Sequence, residues 1–142
     1  VPVLEQVLEK YPDDVKIVFK NFPLRQHKFA MKAAIAALAA GSEGKFWEFH
    51  DELYKNYNKL SDLKIREIAL GLGFDQAQFE KKMNDPKITA MIRQDLQDGA
   101  RAEVRGTPTV FINGRHLKNP SPQGFHAAID RELQKLGKKA AN

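Results

Sequence analysis

The chain has 142 residues, no cysteine, and 23 Lys and Arg against 18 Asp and Glu, for a net charge of +5. That length suits one domain with an insertion, and it buries ~68–70% of the unfolded surface without a disulfide or metal staple. The missing thiols exclude a disulfide framework, a thiolate metal site and a cysteine nucleophile within these residues. The scattered cations argue against a nucleic-acid-binding arm, and no apolar run nears the ~18 residues of a membrane span.

Residues 2–10 predict a helix, with Val3, Leu4, Val7 and Leu8 at helical spacing and Pro2 in the first turn. Residues 11–14 form a turn. Val15, Ile17 and Phe19 then alternate across 15–20, which predicts a strand closed by Asn21-Phe22-Pro23. An alanine-rich helix follows over 27–40, carrying Phe29, Ile35 and Leu38 and ending at Gly41. Ser42 is placed to cap a helix over 43–57, whose Phe46, Phe49, His50, Leu53 and Tyr57 share a face.

Ser61 caps a helix over 62–71, with Leu60 and Ile65 as a hydrophobic staple. Asp75 with Gln78 opens a short helix at 76–83, and Asp85-Pro86 opens a longer one to about 103, with Ile88, Met91, Ile92 and Leu96 as its core stripe. Gly106-Thr107-Pro108 breaks the helical run. Strands at 109–112 and 115–117 flank Asn113-Gly114, a strong hairpin turn. Ser121-Pro122 starts the last helix, with Phe125, Ile129, Leu133 and Leu136. The outer residues, 1–23 and 104–142, therefore predict a small α/β domain, and 24–103 an all-helical insertion.

This order, with Thr107-Pro108 before a hairpin strand, resembles the DsbA-like family of the thioredoxin superfamily. The resemblance rests on three stretches: Pro2-Val3-Leu4-Glu5 through Lys20-Asn21-Phe22-Pro23-Leu24, then Gly44-Lys45-Phe46-Trp47-Glu48-Phe49-His50, then Gly106-Thr107-Pro108-Thr109-Val110-Phe111-Ile112-Asn113-Gly114. It covers nearly the whole chain and implies a thioredoxin-like fold with an inserted helical domain.

The resemblance also implies a thiol–disulfide oxidoreductase whose Cys-x-x-Cys stands at the N-terminus of the first helix, where the helix dipole lowers a thiol pKa. Here that helix starts at Val1-Pro2, so the motif and the central strand before it would lie upstream. Catalysis by these 142 residues is therefore not expected. The absent strand would normally lie between 15–20 and 109–112, and open strand edges recruit other strands. The expectation is a strand-swapped homodimer; the alternative is that the polypeptide extends upstream of Val1. No signal peptide or initiator Met is present in the sequence.

By the same resemblance, Pro108 is a cis proline facing the cysteines, and Thr107 offers its backbone to a bound peptide. Gly106, Thr107 and Pro108 are thus the expected substrate-binding residues. From the residues alone, Pro108 is a proline at a strand entry. The implied partners are a cysteine-containing protein or peptide substrate and a redox partner protein, working in the periplasm or cell envelope. A non-catalytic peptide-binding or chaperone-like module is the alternative.

No metal or cofactor is expected. The position i+4 from His50 is Tyr54 rather than a ligand, and His27, His116 and His126 have no ligand spacing. Phe46 and Phe49 are read as core, with Trp47 and Tyr54 left open between core and groove. Arg105 is read as solvated. The pairs Asp51 with Glu52, and Asp95 with Asp98, are read as solvated helix faces.

Overall fold

Four polar side chains start four helices, each by taking up a backbone N–H that the first helical turn leaves without a partner. In the computed structural model, which describes residues 2–139, Ser61 accepts from the N–H of Lys64 at the head of α4 (Asp62–Gly71), and Asp75 from that of Gln78 at the head of α5 (Gln76–Met83). Asp85 accepts from Lys87 ahead of α6 (Pro86–Arg101), and Ser121 from Gly124 ahead of α7 (Pro122–Lys135). The other helices are α1 (Pro2–Lys10), α2 (Ala30–Gly41) and α3 (Phe46–Lys55), with a 3-10 turn at Tyr57–Lys59.

Ser42 does not cap α3. It closes α2 instead, its hydroxyl donating to the Ala39 carbonyl at 2.7 Å, and Lys45 precedes α3 without a side-chain cap. Gly44 between them takes a positive φ of 74°, which turns the chain before α3 can begin. The helix expected from residue 43 therefore starts three residues later.

The chain divides into two compact units. One runs from Lys20 to Arg105 and holds α2 to α6. Its core contains the alanines Ala36, Ala37, Ala39 and Ala40 of α2, packed with Phe49, Leu53, Ile65 and Ile92. Alanine lets helices approach closely, so the bulky partners come from the facing helices. Phe49 is fully buried and stacks on Phe79, with ring centroids 5.4 Å apart. Met91 and Tyr57, expected on core faces, are exposed, and the strictly buried positions of α6 are Ile88 and Ile92.

Lys20 to Pro23 belong to this helical unit, because the side chains of α6 hold them. The Asp95 carboxylate accepts from Asn21, and Phe22 lies flush on Gly99.

The other unit joins the chain up to Phe19 with the chain from Gly106. It contains α1, α7 and an antiparallel hairpin of β1 (Phe111–Ile112) and β2 (Arg115–His116). Val7 of α1 and Tyr11 just beyond its end meet Phe125, Ile129 and Leu133 of α7, with Val110, Ile112 and Leu117 against them. The Tyr11 hydroxyl donates to Asp130 at 2.8 Å. Burial first, and then this bond, push the Tyr11 phenol up to about 12. Asn113 and Gly114 both have positive φ, the geometry a two-residue hairpin turn requires.

The strand expected at 15–20 joins no ladder: the sheet of the described residues is two-stranded, β1 beside β2. A strand needs a partner to pair its N–H and C=O groups, and among the described residues 16–18 make no backbone hydrogen bond. Val15 and Ile17 still turn partly inward while Val18 is exposed, so the alternation survives without the sheet. The strand expected at 109–112 shortens to two residues for the same reason.

Candidate functional site

The segment from Glu103 to Thr109 leads out of α6 and into the hairpin. Glu103 sits at φ 57°, and the N–H of Val104 returns to the Gly99 carbonyl at 2.9 Å, which ends the helix. The next anchor is Thr109, whose hydroxyl donates to the Gly106 carbonyl at 2.7 Å. The N–H of Leu117 then bonds the Val110 carbonyl at 2.8 Å and begins the hairpin ladder.

Between these anchors lie the three residues expected to bind substrate. Gly106 is half-buried, and Thr107 and Pro108 are exposed. The Thr107–Pro108 peptide is cis. Pro108 has no N–H to give, and among the described residues no hydrogen bond uses the N–H or C=O of Thr107. The segment therefore presents a backbone donor and acceptor to solvent, next to a strand. That is the arrangement an extended peptide can extend by pairing. Arg105 beside it is exposed.

On α3 an aromatic row runs along one side. The His50 ring lies 5.3 Å from that of Trp47 and 4.6 Å from that of Tyr54, and Phe46 meets Trp47 edge-on at 5.1 Å. His50 is buried, with Nδ1 3.1 Å from an Asp51 carboxylate oxygen. Phe46 packs against the helical core. Trp47 and Tyr54 are 43% and 58% exposed, which places both rings at the surface rather than in the core. No group of acidic or histidine side chains among the described residues is arranged to hold a metal ion.

Sequence reasoning missed two sites. The first is the carboxylate pair on α6. Asp95 accepts from both the N–H and the side-chain amide of Asn21, at 2.8 and 3.1 Å. Lys20 bridges Asp95 and Asp98, at 3.1 and 3.3 Å. The bond to Asp95, and next that to Asp98, raise the Lys20 pKa; Asp98 is lowered, by Gln94 first and then by Lys20. These carboxylates hold a chain junction, so the solvated reading fails for Asp95. The available signal was the pair of polar residues Lys20-Asn21 at the end of an apolar run.

The second is a groove of about 370 Å³ between β2 and α7. Its signal was the small-residue spacing Gly124, Ala127, Ala128 along a helix whose other face is apolar.

Comparison with known proteins bears on the whole arrangement. A thioredoxin family model matches residues 2–131. The chain is 32% identical over 120 residues to the Na(+)/H(+) antiporter NhaA 1 of Mycobacterium sp. strain KMS, and 34% identical over 120 residues to the Na(+)/H(+) antiporter NhaA 3 of Salinispora tropica. Those matches take in 82% and 84% of this chain but only 20% and 18% of the antiporters. The chain thus spans about a fifth of the length of these relatives. It is also 32% identical over 145 residues to the probable disulfide bond formation protein D of Bacillus anthracis, covering 95% of this chain and 66% of that protein. No helix among the described residues is long and apolar enough to cross a membrane. With its hairpin, its flanking helices and the helical unit between them, the chain belongs to the DsbA-like family of the thioredoxin superfamily.

Proposed function

We propose that these residues are the scaffold of a thiol–disulfide oxidoreductase acting on protein or peptide substrates. The reaction is exchange. A substrate thiolate attacks a Cys-x-x-Cys disulfide, a mixed disulfide forms, and a second substrate thiolate displaces it. The substrate leaves as a disulfide and the motif as a dithiol, to be reoxidised by a redox partner protein. The sulfurs must come from outside these 142 residues, which contain no cysteine.

The observation that carries the reading is the exposed Thr107 with its unpaired backbone, beside a hairpin in a thioredoxin-family chain. Gly106, Thr107 and Pro108 are the substrate-binding residues on this account. The peptide docks by strand-like pairing and the chemistry proceeds next to it. The match to a probable disulfide bond formation protein supports the same reaction class and, with it, a periplasmic or cell-envelope location.

The strand that precedes the cysteine motif would also supply partners for residues 16–18, whose backbone makes no hydrogen bond among the described residues. In its absence those residues favour pairing between two copies as a strand-swapped homodimer.

The second reading is a non-catalytic peptide-binding or chaperone-like module, favoured by the cysteine count of zero. Sequencing the coding region upstream of Val1 and assaying the extended chain for dithiol oxidation separates the two. Cysteines upstream with turnover support the enzyme. No cysteine pair there, with retained binding of an unfolded peptide, supports the module. In either case the 142-residue chain alone gives no turnover, and turnover by it would overturn the cysteine-dependent account.

A further inference from the structure

We propose that the groove between β2 and α7 is a docking site for an extended acidic peptide segment of a partner protein, separate from the Thr107–Pro108 site. Three independent features of one unit converge there.

The first is a free strand edge. Phe111 pairs with His116 and Ile112 with Arg115, and the N–H of Leu117 bonds the Val110 carbonyl. In an antiparallel ladder successive residues turn their N–H and C=O groups to opposite sides. Arg115 and Leu117 therefore face β1, and His116 and Lys118 turn theirs to the outer edge. The sheet has no strand beyond β2 among the described residues. A row of outward donors and acceptors remains for an incoming backbone.

The second is room beside that edge. Gly124, Ala127 and Ala128 of α7 line the groove with Arg115, Lys118 and Arg131 above them. The short side chains of Ala127 and Ala128 border about 370 Å³ of open space, room for one row of side chains from an added strand, while Gly124 lies close against the Asn119 carbonyl. Ile112 and Leu117 provide an apolar flank.

The third is charge. Among the described residues the side chains of Arg115, Lys118 and Arg131 make no hydrogen bond or ion pair with a protein group. Glu132 lies in the same lining, but Lys135 and Asn113 already engage it. The contact with Lys135, then that with Asn113, holds Glu132 below the usual carboxylate range, and Arg115 adds to the effect. The groove thus carries unneutralised positive charge on a chain of net charge +5.

Charge complementarity decides among occupants. A short edge bearing cations repels a basic strand and gives a neutral one no electrostatic gain. That disfavours a second copy of this chain, whose own unpaired segment carries Lys16. A nucleic acid would satisfy the cations, but a phosphodiester has no regularly spaced N–H and C=O to match the outer edge of β2. A peptide alternating acidic with small polar residues satisfies both.

The test uses the 142-residue chain and an acetylated, amidated peptide of roughly ten residues alternating Glu and Thr. Titration followed by amide NMR should give saturable binding with the largest shifts at His116, Lys118 and the Gly124–Arg131 face. The double variant Arg115→Glu, Arg131→Glu should weaken binding roughly tenfold or more. Both positions lie on the surface, so its amide spectrum should otherwise stay that of the parent chain. N-methylation of alternate peptide amides should abolish binding, because it removes the donors and leaves the charge. The proposal is overturned by no saturable binding, by equal binding of a Lys-Thr peptide, by equal binding of the N-methylated peptide, or by tighter binding of an oligothymidylate of equal charge at the same residues. Shifts centred instead on Thr107 would assign the peptide to the other site and overturn it equally.

Discussion

Asn21 and Asp95, 74 residues apart, are joined by two hydrogen bonds to one oxygen: the Asn21 N–H at 2.8 Å and its side-chain amide at 3.1 Å both reach Asp95 Oδ2. Asn21 is buried, 5% exposed. Two donors of a buried residue depend on one carboxylate, so its loss strands both. Asp95→Ala is expected to cost about 2–3 kcal/mol, read as a lower midpoint in urea denaturation followed by helical circular dichroism. Asp95→Asn keeps an acceptor oxygen and should cost less. Lys20→Ala removes a cation that is 58% exposed and should cost little, since exposed pairs are weak. Equal losses for Asp95→Ala and Lys20→Ala would show that the ion pair, rather than the acceptor for Asn21, holds the junction.

The contrast between local and distant causes explains which features the sequence revealed. Ser61, Asp75, Asp85 and Ser121 cap helices through bonds within a few residues, and such caps are written in short spacings. Asp95 looked solvated because its partner lies far away in the chain. The strand at 15–20 was legible as alternation, yet alternation names a face and not a neighbour, and the neighbour is what makes a ladder. The core of α2 was hidden in another way: its buried positions are alanines, which carry no hydrophobic signal against a background of other alanines. The Thr107–Pro108 segment stood out through family resemblance, since a proline at a strand entry has many uses. The groove beside β2 went unread because its floor consists of small residues, which look like spacers until a strand edge lies next to them.

The sequence spacing puts Phe49 and Tyr57 on one helical face, and the structure separates them: Phe49 is fully buried, while Tyr57 is 74% exposed in the 3-10 turn. Phe49→Ala removes a ring stacked on Phe79 and edge-on to Phe74 and should cost about 3–5 kcal/mol. Tyr57→Ala should stay within about 0.5 kcal/mol of the parent. Urea midpoints of the two variants measured side by side check this, and comparable losses would contradict the burial difference.

Gly99 sits inside α6, where alanine normally favours a helix by about 1 kcal/mol. A Cβ at this position would lie 2.7 Å and 2.8 Å from two carbons of the Phe22 ring. The ring must move, and Phe22 follows Asn21, which is held on Asp95. Gly99→Ala is therefore expected to destabilise by about 1–3 kcal/mol through overpacking, a reversal of the usual sign. Adding Phe22→Leu should recover part of the loss, because the shorter side chain vacates the contact. A double-mutant cycle measures this directly. A stabilised single variant would mean that the ring swings aside freely.

Tyr11 links α1 to α7 through its hydroxyl bond to Asp130, and the ring is 1% exposed. Burial, and then the neighbouring carboxylate, favour the neutral phenol, so its pKa rises from 10.0 to about 12. Because the folded pKa lies above the unfolded one, the stabilisation is fully present below pH 10.0 and is lost as pH climbs through about 12. Lysines titrate in the same range, so the informative quantity is a difference between variants. Tyr11→Phe lacks the ionisable group and should lose stability less steeply with rising pH than the parent chain. Below that window it should be the less stable of the two, by about 1–2 kcal/mol, since the Asp130 carboxylate loses its donor. The two stability curves should therefore converge as pH approaches the folded value. Parallel curves would show that the Tyr11 proton is not what couples this unit to alkaline pH.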